Sequence, residues 1–342
     1  MKSELGEIAA KMVAPGKGIL AADESTGTIA KRFEQINVES TENNRRDYRE
    51  MLFRAGEAMR QSISGVILFD ETLRQNAADG TPLVKLIADA GAVPGIKVDT
   101  GAKTLAGSNG EKITEGLDGL RERLAEYHSI GARFAKWRAV IEIDDGKPTW
   151  SCIKSNAHAL ARYAALCQEA GIVPIVEPEV VMDGPTARHS IGECRRVTQW
   201  TLNTVFDELF EANVALEGIV LKPNMVIAGQ NAPTQASAEE VAEETVACLK
   251  ATVPAAVPGI AFLSGGQSDE QASQNLSLIN QIGSTPWALT FSYGRALQQA
   301  ALKAWLGKVE NVPAAQTAFT HRARMNAIAT SAGWTSELEQ AA

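Results

Sequence analysis

Apolar residues in this chain gather in eight short runs, each closed by glycine, proline or a charge. They are Gly18 to Glu24, Gly65 to Phe69, Gly95 to Asp99, Arg133 to Arg138, Val173 to Glu179, Gly218 to Pro223, Ile260 to Gly265 and Trp287 to Tyr293. Runs so short and so continuously apolar predict strands buried on both faces. They begin about thirty to fifty residues apart, and the intervals carry helical spacing. Arg45 to Gln61 aligns Tyr48, Leu52, Ala55 and Met59, Asn156 to Ala170 is stopped by Gly171, and Val197 to Ala212 forms a third such stretch. Ser237-Ala238-Glu239-Glu240 and Ser268-Asp269-Glu270-Gln271 fit the capping box, in which first and fourth side chains satisfy each other's backbone donors. Strand and helix in alternation imply parallel pairing through right-handed crossovers, and eight such units close a single (β/α)8 barrel with an outer ring of helices. An open doubly wound sheet is the structural rival.

At 342 residues, 45% hydrophobic and 22% charged, the chain has the length of one large barrel or two average domains. We expect a barrel over 1–330 and a C-terminal tail over 331–342. The net charge of -8 comes from 41 acids and 33 bases spread along the chain. No long basic stripe argues for nucleic acid or an anionic membrane surface as partner. Cys152, Cys167, Cys194 and Cys248 match neither a disulfide scaffold nor a CxxC metal pattern, which fits structural thiols in a reducing compartment. The start, Met1-Lys2-Ser3-Glu4-Leu5-Gly6-Glu7, lacks an apolar signal core, and no stretch reaches the ~20 apolar residues of a membrane span. Cytoplasmic residence is the expectation.

The chemistry is concentrated where the predicted strands end. Gly218-Ile219-Val220-Leu221-Lys222-Pro223-Asn224 finishes an apolar run on an ammonium group, and lysine is costly inside a core. Phe134-Ala135-Lys136-Trp137-Arg138 delivers two cations two residues apart, and Val176-Glu177-Pro178-Glu179 two carboxylates at the same spacing. Side chains two apart on a strand share a face. In a barrel such tips converge at one end, so Lys222 beside the cations of the fourth strand is placed to be a nucleophilic amine, since neighbouring cations disfavour the charged form. Glu177 and Glu179 could then move protons, and Asp23 could serve as the base for a departing hydroxyl in carbon–carbon cleavage.

Phosphate recognition has its own pattern. Phe262-Leu263-Ser264-Gly265-Gly266-Gln267-Ser268 bares backbone N–H groups before a helix, and Ser292-Tyr293-Gly294-Arg295 follows the eighth strand. The seventh and eighth loops are the usual phosphate site of this barrel. A second anion contact is expected from Thr28, Arg32 and Lys97, because Glu24-Ser25-Thr26-Gly27-Thr28 leads directly into Ile29-Ala30-Lys31-Arg32.

With these residues in view, the chain resembles class I fructose-bisphosphate aldolases. The resemblance is carried by GILAADESTGTIAKR (18–32), GVILFDETL (65–73), GIKVD (95–99), FAKWR (134–138), GIVPIVEPE (171–179), LKPNM (221–225), FLSGGQS (262–268) and WALTFSYGRALQ (287–298). It runs from about residue 5 to about residue 330. It implies a (β/α)8 barrel, no metal or other cofactor, and reversible cleavage of fructose 1,6-bisphosphate to dihydroxyacetone phosphate and glyceraldehyde 3-phosphate, in glycolysis and gluconeogenesis. By the same resemblance Lys222 matches the Schiff-base lysine and Glu177 the acid/base of iminium formation. Asp23 matches the residue that handles the 4-hydroxyl, Lys136 the cation beside it, and Glu179 a carboxylate supporting the lysines. Ser264, Gly265, Gly294 and Arg295 match the 1-phosphate pocket, with Gly266 and Ser292 beside it. Thr28, Arg32, Lys97 and Arg138 match the surroundings of the far phosphate, with Ser25 at the same turn. Family members commonly form homotetramers.

Two departures from the best-known animal-type relatives stand out. Those end in a tyrosine that assists proton exchange at the enamine carbon, whereas this sequence has no tyrosine beyond Tyr293. Water or a residue near Trp334 is our expectation for that role. Thr28 stands where relatives often have serine, which keeps the hydroxyl. Other chemistries remain open from the residues alone. A metal-dependent aldolase would need clustered ligands, and His128, His158, His189 and His321 lack metal-site spacing. Transaldolase-like or deoxyribose-phosphate aldolase-like enzymes share the lysine without needing two phosphate pockets, and a scaffold protein with a dead site would need neither.

Overall fold

The computed structural model describes residues 2–340. Ten strands occur in chain order: β1 (Gly18–Ala22), β2 (Ile63–Leu68), β3 (Val93–Lys97), β4 (Gly101–Thr104), β5 (Lys112–Glu115), β6 (Phe134–Ile141), β7 (Val173–Val180), β8 (Val220–Leu221), β9 (Gly259–Phe262) and β10 (Ala288–Tyr293). Eight of them close a barrel in the order β1-β10-β9-β8-β7-β6-β3-β2, every pairing parallel. The expected (β/α)8 barrel is therefore the fold, and the doubly wound sheet is excluded by closure. The other two, β4 and β5, form an antiparallel hairpin between β3 and β6 that the apolar pattern did not reveal. Its residues are largely exposed and polar, so no buried face marks it in the sequence.

Strand ends differ from expectation in a consistent way. β8 holds only Val220 and Leu221, and β9 stops at Phe262, because Pro223 has no N–H for a ladder and the glycines of the next loop turn the chain away. Conversely, β6 and β7 run past Arg138 and Glu179 to Ile141 and Val180. The helix expected over Arg45 to Gln61 is two helices, Glu42–Phe53 and Gly56–Gln61, broken at Arg54-Ala55. Asn156 to Ala170 is the second half of a longer helix, Trp150–Glu169, and Val197 to Ala212 belongs to Ile191–Glu211. The box at Ser268 is formed with Gln271, whereas at Ser237 only the hydroxyl half, accepting from the Glu240 N–H, is made among the described residues. A further box, Ser190 with Glu193, escaped the sequence reading.

The end of the barrel away from the strand tips is closed by the helix Lys2–Met12. Its Leu5, Ala9 and Met12, with Val13, pack against Ile19, Val93, Phe134, Val173, Val220 and Ala261 in one buried cluster. Two glycines make room for that packing. A Cβ at Gly95 would stand 2.3 Å from the Phe134 ring, and one at Gly259 would stand 2.7 Å from Val13. Both distances are shorter than any real contact, so only glycine fits. A second, larger apolar layer lies between the strands and the outer helices. No described helix is long and apolar enough to cross a membrane.

Candidate active site

Register fixes the charged side chains at one level. In the β6–β7 pairing Arg138 lies opposite Glu177 and Val140 opposite Glu179; in β3–β6 Lys97 lies opposite Lys136. Val176 pairs with Leu221, and the Lys222 N–H donates to the Val176 carbonyl at 2.8 Å, which sets Lys222 level with Glu177. Asp23 follows the last residue of β1. Four ionisable groups from four strands thereby meet inside the mouth of the barrel.

Their contacts form a chain. Lys136 Nζ lies 2.8 Å from Asp23 Oδ2 and 3.3 Å from Glu177 Oε2, and Lys222 Nζ lies 3.2 Å from Glu177 Oε1. Lys136, Glu177 and Lys222 are each about 95% buried. The sequence led us to expect Lys222 against the cations of the fourth strand; instead the Glu177 carboxylate stands between Lys222 and Lys136. A carboxylate interposed between two buried lysines offsets the like-charge repulsion that would otherwise oppose folding of the site. Burial alone would raise the Asp23 carboxyl, but Lys136, followed by Lys222, outweighs it and holds Asp23 down at about 2. Glu177 is likewise held below the ordinary carboxylate range, burial being overcome by Lys136 and Lys222. Burial also disfavours the Lys136 ammonium, yet Asp23 and Glu177 together keep its pKa above that of a free lysine.

These groups open into a cavity of about 880 Å³ whose wall includes Asp23, Lys136 and Lys222. Glu179 is also in that wall and is paired with Arg138. Glu177 lies behind the wall, reaching the cavity through the two lysines it touches. Ser264, Gly265, Ser292, Gly294 and Arg295 line one part. Gly266 does not line it; with φ +74° it makes the turn on the far side of the same loop. Arg295 Nη2 donates to the Gln267 carbonyl at 2.7 Å and so ties the two loops together. The buried Ser292 hydroxyl has no partner within the described residues.

Ser25, Thr28, Arg32, Lys97 and Arg138 line the same cavity. Ser25 caps the helix Thr26–Glu34, its hydroxyl accepting from the Thr28 N–H at 3.4 Å and lying 3.1 Å from the Thr28 hydroxyl. Arg32, one turn after Thr28 on the same helix, also reaches toward the opposite part of the cavity. Its Nη2 would be 3.5 Å from a Cβ at Gly294, which puts its guanidinium beside the loop that follows β10.

Three residues of the site were missed. Glu24 accepts from Arg32 Nη1 at 2.5 Å and from Gln298 Nε2 at 2.8 Å, while its carbonyl accepts from Arg49 Nη2 at 2.8 Å. Asp99 takes the Lys97 ammonium at 2.6 Å. Arg123, also in the cavity wall, donates to the Val98 and Gly116 carbonyls. Asp99 follows Lys97 at the same-face spacing that singled out the pairs in β6 and β7, so that signal was available; Glu24 and Arg123 offered none. No group of three His, Cys, Asp or Glu side chains among the described residues is arranged to hold a metal ion.

Comparison with known proteins places this geometry. The chain is 58% identical to a probable fructose-bisphosphate aldolase class 1 of Xanthomonas campestris, across 97% of this chain and 98% of that protein. It is 56% identical to fructose-bisphosphate aldolase C of Carassius auratus, across 96% of this chain and 90% of the relative. Among solved structures, the fructose-bisphosphate aldolase of Plasmodium falciparum, crystallised with TRAP and a small-molecule inhibitor, superposes with a TM-score of 0.94 at 51% identity, covering 98% of this chain and 96% of that one. The family model described as fructose-bisphosphate aldolase class-I matches residues 4–342, and the chain therefore belongs to the class I fructose-bisphosphate aldolase family of enzymes.

Proposed function

We propose that this enzyme cleaves fructose 1,6-bisphosphate reversibly to dihydroxyacetone phosphate and glyceraldehyde 3-phosphate through a Schiff base on Lys222, serving glycolysis and gluconeogenesis. The observation that carries the reading is the Glu177 carboxylate held between Lys222 and Lys136. At 3.2 Å it is in reach of the proton that Lys222 must lose to become a nucleophile. The neutral amine adds to the C2 carbonyl, and Glu177 returns the proton to the carbinolamine hydroxyl, which leaves as water to give the iminium. Asp23 then accepts the 4-hydroxyl proton while the C3–C4 electron pair moves into the iminium, releasing glyceraldehyde 3-phosphate and an enamine. A carboxylate that Lys136 and Lys222 hold below the ordinary range is too weak a base to deprotonate an alcohol first. Proton transfer therefore accompanies bond breaking, with Lys136 stabilising the negative charge that develops on the 4-oxygen. Protonation at C3 and hydrolysis release dihydroxyacetone phosphate and restore Lys222.

In this reading Ser264, Gly265, Gly294, Arg295 and Arg32 hold the 1-phosphate, while Ser25, Thr28, Lys97 and Arg138 face the other. Glu179 anchors Arg138. Cytoplasmic residence, a homotetramer, and a barrel of 1–330 followed by a tail of 331–342 complete it. Borohydride reduction with dihydroxyacetone phosphate in the presence of a chelator, followed by peptide mass mapping, is the test. A stable adduct on Lys222 supports the mechanism, and activity without any adduct sinks it.

A further inference from the structure

The phosphate loop is held from two sides. On the cavity side Arg295 ties the Gln267 carbonyl. On the other side the guanidinium of Arg322, from the helix Val312–Ala329, donates through Nη2 to the Asp269 carbonyl at 2.9 Å and to the Ser273 hydroxyl at 2.7 Å. Asp269 opens the helix Asp269–Ile282, directly after the loop. Arg322 is about 95% buried, so its charge needs a partner. Among the described residues the carboxylate that pairs with it is Glu339, whose two oxygens each accept from Nη1 at 2.6 Å.

Glu339 belongs to the five-residue helix Ser336–Gln340, which buries none of its residues. A helix this short has little stability of its own, so its place depends on what Glu339 grips. The carboxylate also accepts from Trp334 Nε1 at 2.8 Å and lies 2.9 Å from His321 Nε2. Burial opposes its charge, but Arg322, Trp334 and His321 outweigh that and hold its carboxyl below the ordinary range. A continuous set of bonds thus runs from the tail, through a buried arginine, to the backbone behind Ser264-Gly265-Gly266.

We propose that Glu339 is a positioning residue for the phosphate loop: by pairing with Arg322 it fixes the guanidinium that holds Asp269, and docking of the tail thereby sets affinity for the substrate phosphate. The proposal rests on the phosphate role assigned above to this loop. Two sites coupled in this way influence each other reciprocally. Phosphate binding should therefore also hold the tail in place.

The test is calorimetric binding of dihydroxyacetone phosphate, with steady-state cleavage of fructose 1,6-bisphosphate, for the full chain and three variants. Glu339→Ala should weaken binding and raise KM by roughly five- to tenfold with kcat within about twofold, the scale of modest intersite coupling. Glu339→Gln, which keeps an acceptor for Trp334 without the charge, should fall between it and the parent. Glu337→Ala, on the exposed face of the same helix, should match the parent. Amide exchange at 337–340 should slow when dihydroxyacetone phosphate binds, a response that a merely structural brace would not show. Unchanged affinity in Glu339→Ala, or a fall in thermal stability with KM unmoved, overturns the proposal. A parent chain that binds no dihydroxyacetone phosphate would instead overturn the phosphate reading on which it rests.

Discussion

The two ends of the barrel are built from the same strands and have opposite chemistry. Within β6, Phe134 is packed among apolar residues at the closed end, while Lys136, one step along the same face, is held between Asp23 and Glu177. The closed end gains stability by excluding water from hydrocarbon. The open end buries charges whose desolvation is offset only by one another. Stability and reactivity are thus separated by two residues of a strand, and a substitution should report which side of that boundary it falls on.

The sharpest test is Lys222→Ala, for which we expect a loss of cleavage on the order of 10⁴-fold or more, with only a small fall in melting temperature because Glu177 keeps its pairing with Lys136. Activity assays alongside calorimetry check both halves, and comparable losses of stability and activity would break the comparison. Next is Phe134→Ala at the closed end, expected to cost about 3–5 kcal/mol of stability while leaving kcat per folded molecule unaltered. Chemical denaturation with active-site titration measures it. Glu177→Gln removes the carboxylate between the lysines and should lower kcat by about 10²- to 10⁴-fold, with borohydride trapping at Lys222 slowed in parallel.

The smallest effect lies in acid. The folded-state pKa of Asp23, about 2, is below the unfolded value of 3.8, so its contribution is present above the unfolded value. That contribution is lost as pH falls through the interval between the two, and it amounts to on the order of 2 kcal/mol. Denaturation midpoints across that interval should shift less in Asp23→Asn than in the parent chain.

The same boundary explains what could be read from the sequence. Lys222, Lys136 and Glu177 were legible because a buried strand that ends on a charge contradicts the apolar pattern around it. The glycine-rich turn at 264–266 was legible because two adjacent glycines at the start of a capped helix, with Arg295 after the next strand, bare backbone donors beside a cation. The helix Lys2–Met12 was not, since its short apolar stripe resembles that of any surface helix and nothing local says that it closes a barrel. The break at Arg54-Ala55 lacked a periodic or turn signal, and the β4–β5 hairpin offered only the turn at Gly107-Ser108-Asn109-Gly110 without apolar alternation on either side. Glu24 and Arg123 were hidden because their roles depend on partners far along the chain, Gln298 and Val98 among them. The position of Glu177 between two lysines, rather than beside one, depends on register and could come only from the folded strands.

The helix Lys2–Met12 also has a consequence for biosynthesis. It is made well before its partners, since Val13 beside it fits against Gly259 and its cluster includes Ala261. At ordinary translation rates those partners follow on the order of tens of seconds later. Throughout that interval the apolar stripe of Leu5, Ala9 and Met12 has no completed surface to cover. A nascent chain of this architecture therefore holds a hydrophobic stripe uncovered until β9 is made, and the order of synthesis, not the order of stability, decides when the barrel's closed end can form.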